Sequence, residues 1–298
     1  MGSDFPDQAQ IVIIGGGVVG CSVAYHLAEL GVRDVVLLER KSLTSGTTWH
    51  AAGLVGQLRA TQNLTRLAQY TTNLYADLEK LTGQATGFRQ NGSLSLATDD
   101  ERFEELKRGA SMASCFGLEV EVVSPKEALE LYPIMSTKDL VGAVFLPRDG
   151  QTNPTDTTQA LARGARDKGV RILEGVSVES FEKQGGRISS VMTSRGPIAC
   201  ETVVNCAGMW GRSLGLKAGV SVPLHAANKH NVETHFSCAI GDDEYGEIFV
   251  DSFGDKLSGL SFYTSKLPTG ICLIFITPDG QRTMAANLGA NTDLHKDC

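Results

Sequence analysis

Three glycines near the amino terminus have the spacing of a dinucleotide-binding turn. Gly15, Gly17 and Gly20 follow an apolar run at residues 10–14, which predicts a strand, and precede small and apolar residues at helical spacing. In such a turn the first glycine permits a tight bend, the second lets a pyrophosphate approach the backbone, and the third lets the helix pack on the strand. The amino terminus of the helix then faces the phosphates.

An acidic residue stands where this motif needs an acceptor for a ribose. The run Asp34–Glu39 predicts a second strand, because continuous apolar residues fit a parallel sheet covered on both faces. Glu39 ends this strand and is suited to accept hydrogen bonds from an adenosine ribose, and its charge disfavours the 2′-phosphate of NADP. FAD and NAD share the fingerprint, and an ordinary glycine-rich turn beside a surface glutamate is the simpler alternative.

A loop of small and hydroxyl-bearing residues follows the second strand. Residues 44–53 read TSGTTWHAAG, and side chains of this size let the backbone approach an extended cofactor. With the fingerprint, this loop resembles the flavoprotein amine oxidoreductases of the sarcosine and dimethylglycine dehydrogenase group, in the D-amino-acid-oxidase-like family. Residues 146–154, 203–210 and 222–227 carry further resemblance, which covers residues 10 to about 227.

The resemblance implies FAD as the cofactor and assigns residues to it. In that group the histidine of the Trp-His-Ala-Ala-Gly element is attached covalently to the flavin 8α carbon, which makes His50 the implied tether; a loop histidine beside a packed Trp49 is the alternative. The backbone of Val178 is implied to meet the adenine, and a plain core-strand residue is the alternative for this position. The other residues implied to lie near the dinucleotide are Ser45, Thr47, Ala207 and Gly208.

The reaction implied is removal of a hydride from the carbon beside a secondary or tertiary amine nitrogen, as in sarcosine or dimethylglycine. An electron-transfer flavoprotein or oxygen is the implied electron acceptor. A group that keeps the amine unprotonated is needed, and His225 is a candidate. In that group the sequence Pro-Leu-His-Ala-Ala usually continues with Glu-His, whereas this chain continues with Asn228 and Lys229. His230 is therefore a second candidate if one residue is inserted.

The predicted elements alternate between helix and strand, which is typical of an α/β protein. The implied fold is a Rossmann-type FAD-binding domain, with nucleotide-binding parts at about 8–60 and 150–215, interleaved with an incomplete β-rich substrate lobe at about 85–150. Helices are predicted at residues 21–30, 64–81, 99–115, 124–131 and 154–168. Strands are predicted at residues 93–97, 118–123, 141–146, 170–173, 176–181, 188–193 and 202–206.

Composition excludes several classes of protein. The net charge of −7 argues against nucleic acid or an anionic membrane as a partner. The seven cysteines form no Cys-x-x-Cys pair, which argues against a zinc site, and Cys206 is expected to be inert in a buried strand. There is no run of 18 uncharged apolar residues and no leader-like start, so a cytoplasmic location is expected.

The last part of the chain differs in charge from the rest. Residues 228–298 hold ten of the 34 acidic and five of the 27 basic side chains. Residues 234–298 resemble an internal segment of ribokinase-like sugar or nucleoside kinases, with a hairpin predicted between 270 and 286 and a helix at 243–253. A chimaera of a truncated flavin domain, 1–227, and a kinase-like fragment, 228–298, is therefore expected. The alternatives are a non-catalytic flavin- or nucleotide-binding remnant and a kinase fragment without its ATP site.

Overall fold

The chain divides into two compact units, residues 1–221 and 222–298. The boundary expected near residue 228 stays a prediction. A computed structural model describes residues 5–224, 236–241, 247, 260–265, 271–276 and 282–287.

The larger unit alternates between strands and helices, as the sequence predicts. Its strands are β1 (Gln8–Ile14), β2 (Val35–Leu38), β3 (Leu54–Val55), β4 (Ser93–Ala97), β5 (Glu121–Val123), β6 (Gly142–Leu146), β7 (Gly150–Gln151), β8 (Arg171–Leu173), β9 (Val178–Gln184), β10 (Arg187–Thr193) and β11 (Gly196–Asn205). Its helices are α1 (Val18–Glu29), α2 (Gln62–Thr82), α3 (Asp100–Cys115), α4 (Pro125–Leu131), α5 (Pro154–Asp167) and α6 (Gly211–Lys217), with 3₁₀ turns at Thr48–His50 and Gly208–Trp210.

A six-stranded sheet forms the centre of this unit. Its strand order is β8-β2-β1-β11-β10-β9, with β8, β2, β1 and β11 parallel and the last two pairs antiparallel. All four residues of β2 are buried: Val35 and Leu37 pack in one apolar cluster, Val36 and Leu38 in another. The prediction that this strand is covered on both faces is confirmed.

A smaller, three-stranded sheet forms the second lobe of the unit. Its order is β4-β6-β5, with both pairs antiparallel. The capping box predicted at the start of α4 is present, because Ser124 Oγ accepts from the Glu127 N–H and the Glu127 carboxylate accepts from the Ser124 N–H. This sheet and the helices α3 and α4 lie in the chain between β2 and β8 of the central sheet, and the role of this part as a substrate lobe stays a prediction.

Helix α2 has the predicted extent but a different buried face. Leu64, Leu67 and Leu81, which predict the helix by their spacing, are more than half exposed. Of the other two periodic leucines, Leu78 is buried and Leu74 packs partly buried against the core, and the remaining buried positions are Thr65, Thr72 and Thr82. The hydroxyls of Thr72 and Thr82 donate to backbone carbonyls four residues earlier, so that the threonines can be buried with their polar atoms satisfied.

The smaller unit contributes two pairs of strands. β12 (Phe236–Gly241) runs parallel to β13 (Leu260–Ser265), and β14 (Ile271–Ile276) runs antiparallel to β15 (Arg282–Asn287). The second pair confirms the predicted hairpin. The helix expected at 243–253 lies, apart from Glu247, outside the described residues. No helix in the described parts of the chain is long and apolar enough to cross a membrane.

Candidate functional site

The fingerprint turn lies at the carboxyl end of β1, where two backbone segments meet. Gly15 has φ of +115°, and its N–H donates to the Leu38 carbonyl at 2.8 Å. A Cβ on Gly15 would lie 2.3 Å from the Cys206 carbonyl oxygen, and a Cβ on Gly20 would lie 1.9 Å from the Gly15 carbonyl oxygen. Both positions exclude any side chain, so the predicted roles of the first and third glycines are confirmed.

The amino terminus of α1 is open to a ligand on one side. Gly17 precedes the first helical residue, and the Val18 N–H donates to Thr48 Oγ1 at 3.0 Å. The N–H groups of Val19 and Gly20 have no acceptor among the residues that the structure describes. Val19 is exposed whereas Gly20 is buried, so the Val19 amide and the partial positive charge of the helix terminus are suited to a diphosphate.

Glu39 lies beside the fingerprint, one residue after β2. Its Oε2 accepts from the Gly16 N–H at 2.7 Å, and its Oε1 accepts from the Lys41 N–H at 2.8 Å. The carboxylate is partly exposed, and each oxygen has a second lone pair that can accept a ribose hydroxyl. The two amides fix the orientation of the carboxylate, and its contact with a ribose stays a prediction.

The loop after Glu39 is strained and held at several points. Thr44 has φ of +69°, a value that is unfavourable for a β-branched residue. Its N–H donates to the Gly16 carbonyl at 2.9 Å, and the Leu43 N–H donates to Glu174 Oε2 at 2.9 Å. These bonds attach the loop to the fingerprint on one side and to the end of β8 on the other, which offsets a strain of about 1–3 kcal/mol.

His50 ends a 3₁₀ turn on the exposed side of this loop. Its ring stacks on Trp49 with 3.7 Å between ring centroids, and Trp49 is 50% exposed rather than packed in the interior. Ser45 and Thr47 are also exposed. The structure thus brings Ser45, Thr47 and His50 together on one loop beside α1, with their side chains open to a ligand.

A second approach to the site comes from the turn after β11. Ala207 and Gly208 follow the strand after Cys206, and Gly208 has φ of +53°. In the same turn the Trp210 ring lies 4.0 Å from the Arg40 guanidinium carbon, a contact between the segments that follow β11 and β2. The contact of Arg40 with Trp210 was not predicted from the sequence, because a single basic residue after a strand does not indicate which segment it will meet.

Val178 begins β9, close to Glu39 along the sheet. Two residues before it, the Val176 N–H donates to the Glu39 carbonyl at 2.9 Å. The Val178 carbonyl accepts from Lys217 Nζ at 3.3 Å, and its side chain packs against the cluster that contains Val36. This position is compatible with both of the roles foreseen, and the adenine contact stays a prediction.

The cysteines near the fingerprint are protected thiols. Burial raises the pKa of Cys21 to about 12 and also raises the pKa of Cys206. Cys206 is half-buried and follows β11, which ends at Asn205, so its predicted place inside the strand is wrong. The thiolate is the reactive form, and the raised pKa values agree with the expected inertness of Cys206.

A cavity of about 260 Å³ adjoins the turn that carries His50. Thr48 and Ala51 of the turn line it, as do the segment Gly53–Gly56 and the side chains of Tyr75 and Arg59. Arg59 is the one charged residue among its described lining residues. Sequence reasoning missed Arg59 because its neighbours in sequence form no motif.

The loop that carries Arg59 is fixed by buried hydrogen bonds. The buried Asp149 carboxylate accepts from the Gln57 N–H at 2.8 Å and from the Ser93 hydroxyl at 2.6 Å. The Gln57 amide donates to the Arg148 carbonyl at 2.9 Å, and the Arg59 N–H donates to Thr65 Oγ1 at 3.1 Å. The backbone at Arg59 is therefore held in place while its side chain is exposed at the cavity.

The two candidates for the base that keeps the amine unprotonated are not among the described residues. His225 and His230 both lie in the range 225–235, outside the part of the chain that the structure describes. Within the described residues, no group of three or more His, Cys, Asp or Glu side chains could hold a metal ion.

The sheet order explains why these segments meet. The chain leaves β1 towards β2 on one side, whereas β11 returns on the other side of β1, so the carboxyl ends of β1 and β11 form a topological switch point. Ligands of open α/β sheets bind in the crevice at such a point.

The family model described as FAD dependent oxidoreductase matches residues 10–257. The chain belongs to this family.

Individual relatives agree with that membership. The chain is 43% identical over 264 residues to the mitochondrial sarcosine dehydrogenase of Mus musculus, which covers 85% of this chain and 29% of that protein. It is 42% identical over 223 residues to the mitochondrial pyruvate dehydrogenase phosphatase regulatory subunit of Mus musculus, which covers 74% of this chain and 25% of that protein. The chain thus spans less than a third of the length of these relatives. Both are mitochondrial, and a cytoplasmic location stays a prediction.

Solved structures show the same fold. L-proline dehydrogenase from P. horikoshii is similar with a TM-score of 0.69 and 30% identity, over 72% of this chain and 57% of that chain. The family match also runs to residue 257, past residue 227, where the resemblance was expected to end. That expected end is therefore wrong. None of these matches gives evidence for a ribokinase-like segment or a chimaera.

The residues of the site fit FAD, the cofactor of this family. Gly15 and Gly20, at which no Cβ fits, form a glycine cradle at the start of α1, the amide of the exposed residue Val19 has no acceptor among the described residues, and Glu39 is held beside them. The exposed loop with His50 continues from this cradle towards the cavity.

Proposed function

We propose that this chain provides the flavin-binding part of an FAD-dependent oxidoreductase that oxidises a secondary or tertiary N-methyl amine, of the sarcosine or dimethylglycine type. The observation that carries the proposal is the meeting of the glycine cradle, Glu39 and the His50 loop at the switch point between β1 and β11. The 43% identity to a sarcosine dehydrogenase supports the substrate class.

The chain's own residues would bind and orient the cofactor. The first turn of α1 would hold the diphosphate, Glu39 the ribose, and the Ala207–Gly208 turn would close the second side. Val178 is proposed to meet the adenine through its backbone, and Ser45 and Thr47 to contact the diphosphate or flavin. When bound, FAD supplies the acceptor for the hydride that leaves the carbon beside the amine nitrogen.

The cavity beside His50 favours an amine that carries a carboxylate. Arg59 is the one charge on its described wall, and a guanidinium binds a planar carboxylate through paired, charge-assisted hydrogen bonds. The rest of the lining is uncharged, and apolar residues such as Leu54 and Val55 within it would limit the access of water to the reacting carbon. We therefore propose an N-methyl amino acid rather than a simple amine as the substrate.

Two histidines have proposed roles that sequence resemblance supports. His50 is the proposed tether of the flavin, and its exposed position on the loop leaves the imidazole accessible. His225, or His230 in its place, is the proposed group that keeps the substrate amine unprotonated. The electron acceptor would be an electron-transfer flavoprotein or oxygen.

Absorption spectroscopy of the purified chain tests this proposal. The chain should carry the visible bands of oxidised flavin, and anaerobic addition of sarcosine or dimethylglycine should bleach them. A flavin spectrum that neither amine changes would overturn the catalytic part of the proposal. A chain that purifies and remains colourless in excess FAD would overturn the flavin-binding part as well.

A non-catalytic flavin-binding role is the second candidate. Its support is the 42% identity to a protein named as a regulatory subunit. The same spectra separate the two functions, because the second requires bound flavin that no N-methyl amine reduces.

A further inference from the structure

Thr48 differs from its neighbours in the turn that carries His50. It is 7% exposed, whereas Thr47, Trp49 and His50 are exposed. Its Oγ1 accepts from the N–H of Val18, the first residue of α1, at 3.0 Å. The hydroxyl therefore connects the turn to the helix that follows the glycine fingerprint.

The space for this hydroxyl is created by Gly17. A Cβ at Gly17 would lie 3.0 Å from Thr48 Oγ1, which is closer than ordinary contact. The other hydrogen bonds of the turn are local, with the His50 N–H donating to the Thr47 carbonyl at 3.2 Å and the Ala51 N–H to the Thr48 carbonyl at 3.1 Å. These local bonds shape the turn without attaching it to α1.

We propose that Thr48 is a positioning residue for His50. Its hydroxyl caps the first amide of α1 and so fixes where the turn lies over the helix, which sets the place of the imidazole relative to bound flavin. This inference rests on the proposed function, which assigns the tether to His50. It also leaves the amide of the exposed residue Val19, rather than that of Val18, to the diphosphate.

Tethering is sensitive to such placement. A bond between an imidazole nitrogen and the flavin 8α carbon forms as one N–H and one C–H bond break. Both hydrogens and the two electrons go to the flavin, and the electron acceptor of the proposed reaction reoxidises it. A displacement of about 1 Å between reacting groups can lower a rate by about 100-fold.

Paired variants of the full-length chain test the inference. Thr48→Ser keeps the hydroxyl, and Thr48→Val keeps the shape without the acceptor. Thr72→Val removes a buried threonine hydroxyl in α2 that bonds the Ala68 carbonyl and does not contact the turn. Each protein is incubated with FAD, and two quantities are measured: the dissociation constant for FAD within minutes, and the rate at which flavin becomes stable to acid precipitation.

We expect Thr48→Val to slow acid-stable attachment by at least about 10-fold, with the dissociation constant for FAD changed less than about threefold. Thr48→Ser and Thr72→Val should both attach flavin at the wild-type rate. Attachment by Thr48→Val at the wild-type rate would overturn the inference. Loss of FAD binding in parallel with attachment would also overturn it, because Thr48 would then act on the diphosphate.

Failure of the tether itself is distinguishable. If the wild type binds FAD without any acid-stable flavin, the role of His50 in the proposed function fails. The visible spectrum of bound flavin then tests Thr48, since a displaced turn should change the spectrum in Thr48→Val and leave it unchanged in Thr48→Ser. Identical spectra would overturn the positioning role.

Discussion

At the level of single residues, the site combines anchored backbones with exposed side chains. Asp149 and Gln57 are buried and hydrogen-bonded, and they fix the loop from which Arg59 reaches the cavity. Glu39 is similarly held by the amides of Gly16 and Lys41. Such anchoring lowers the entropy that a side chain loses when it binds a ligand.

The proposed role of Arg59 predicts a selective loss of substrate binding. Arg59→Gln should raise the KM for sarcosine by about 10- to 100-fold, the range expected for loss of hydrogen bonds to a charged group. Dimethylamine, which is sarcosine without its carboxylate, should react equally with both proteins. Steady-state kinetics with the two amines measures this, with Arg163→Gln in α5 as the control. Equal losses on both amines would contradict the carboxylate role.

The cysteines differ in reactivity for a reason visible in their burial. Cys21 is buried with a pKa of about 12, whereas Cys115 is exposed at the end of α3. Because alkylation needs the thiolate, we expect iodoacetamide at pH 8 to modify Cys115 and to leave Cys21 intact in the folded chain. Peptide mapping by mass spectrometry measures both sites, and unfolding in urea should expose Cys21. Rapid labelling of Cys21 without denaturant would contradict its packing.

At the level of elements, helix α1 approaches β1 so closely that only glycine fits at position 20. Gly20→Ala should lower the free energy of unfolding by about 1–3 kcal/mol and weaken FAD binding, because the helix must move away from the turn. Gly109→Ala is the matched control, since a Cβ at this position in α3 meets no atom within 4 Å. It should raise stability by about 0.5–1 kcal/mol. Urea denaturation followed by circular dichroism measures both, and equal effects would contradict the close approach.

The capping box of α4 makes its stability depend on pH. Hydrogen bonds from the backbone N–H and hydroxyl of Ser124 hold the pKa of Glu127 below its ordinary value of 4.5. The stabilisation is therefore complete above pH 4.5 and is lost as the pH falls through the lowered pKa. Glu127→Gln should melt below the wild type at pH 7, and the difference should disappear in acid. Glu130→Gln, in the same helix, should show no such dependence in thermal melts.

For the whole molecule, cofactor binding and stability are linked. A ligand that binds only the folded state at 100 times its dissociation constant adds about 2.7 kcal/mol to the free energy of unfolding. We expect FAD to raise the melting temperature of the chain, and FMN, which lacks the adenosine, to raise it less. Glu39→Ala should reduce the effect of FAD and leave that of FMN unchanged. A larger rise with NAD than with FAD would contradict the assignment of the cofactor.

The sequence by itself determined the α/β class, the fingerprint and the box at α4. These features depend on residues close together in the chain, where glycine spacing, apolar runs and capping pairs act locally. The predicted bounds of α5 and β4 agree with the structure to within one residue, whereas β11 begins six residues earlier than predicted and β3, β7 and α6 were not predicted. The same local reasoning wrongly ended the family resemblance at residue 227, whereas the family match runs to residue 257.

Only the tertiary structure decided which segments meet. The contacts of Thr48 with Val18, of Glu174 with Leu43 and of Arg40 with Trp210 join residues distant in sequence, and they follow from the strand order that brings β1, β2 and β11 together. Burial on α2 likewise depends on its neighbours, because three threonines are buried with Leu78 whereas the periodic leucines Leu64, Leu67 and Leu81 are exposed. Periodicity describes one element alone, whereas packing depends on what covers each of its faces.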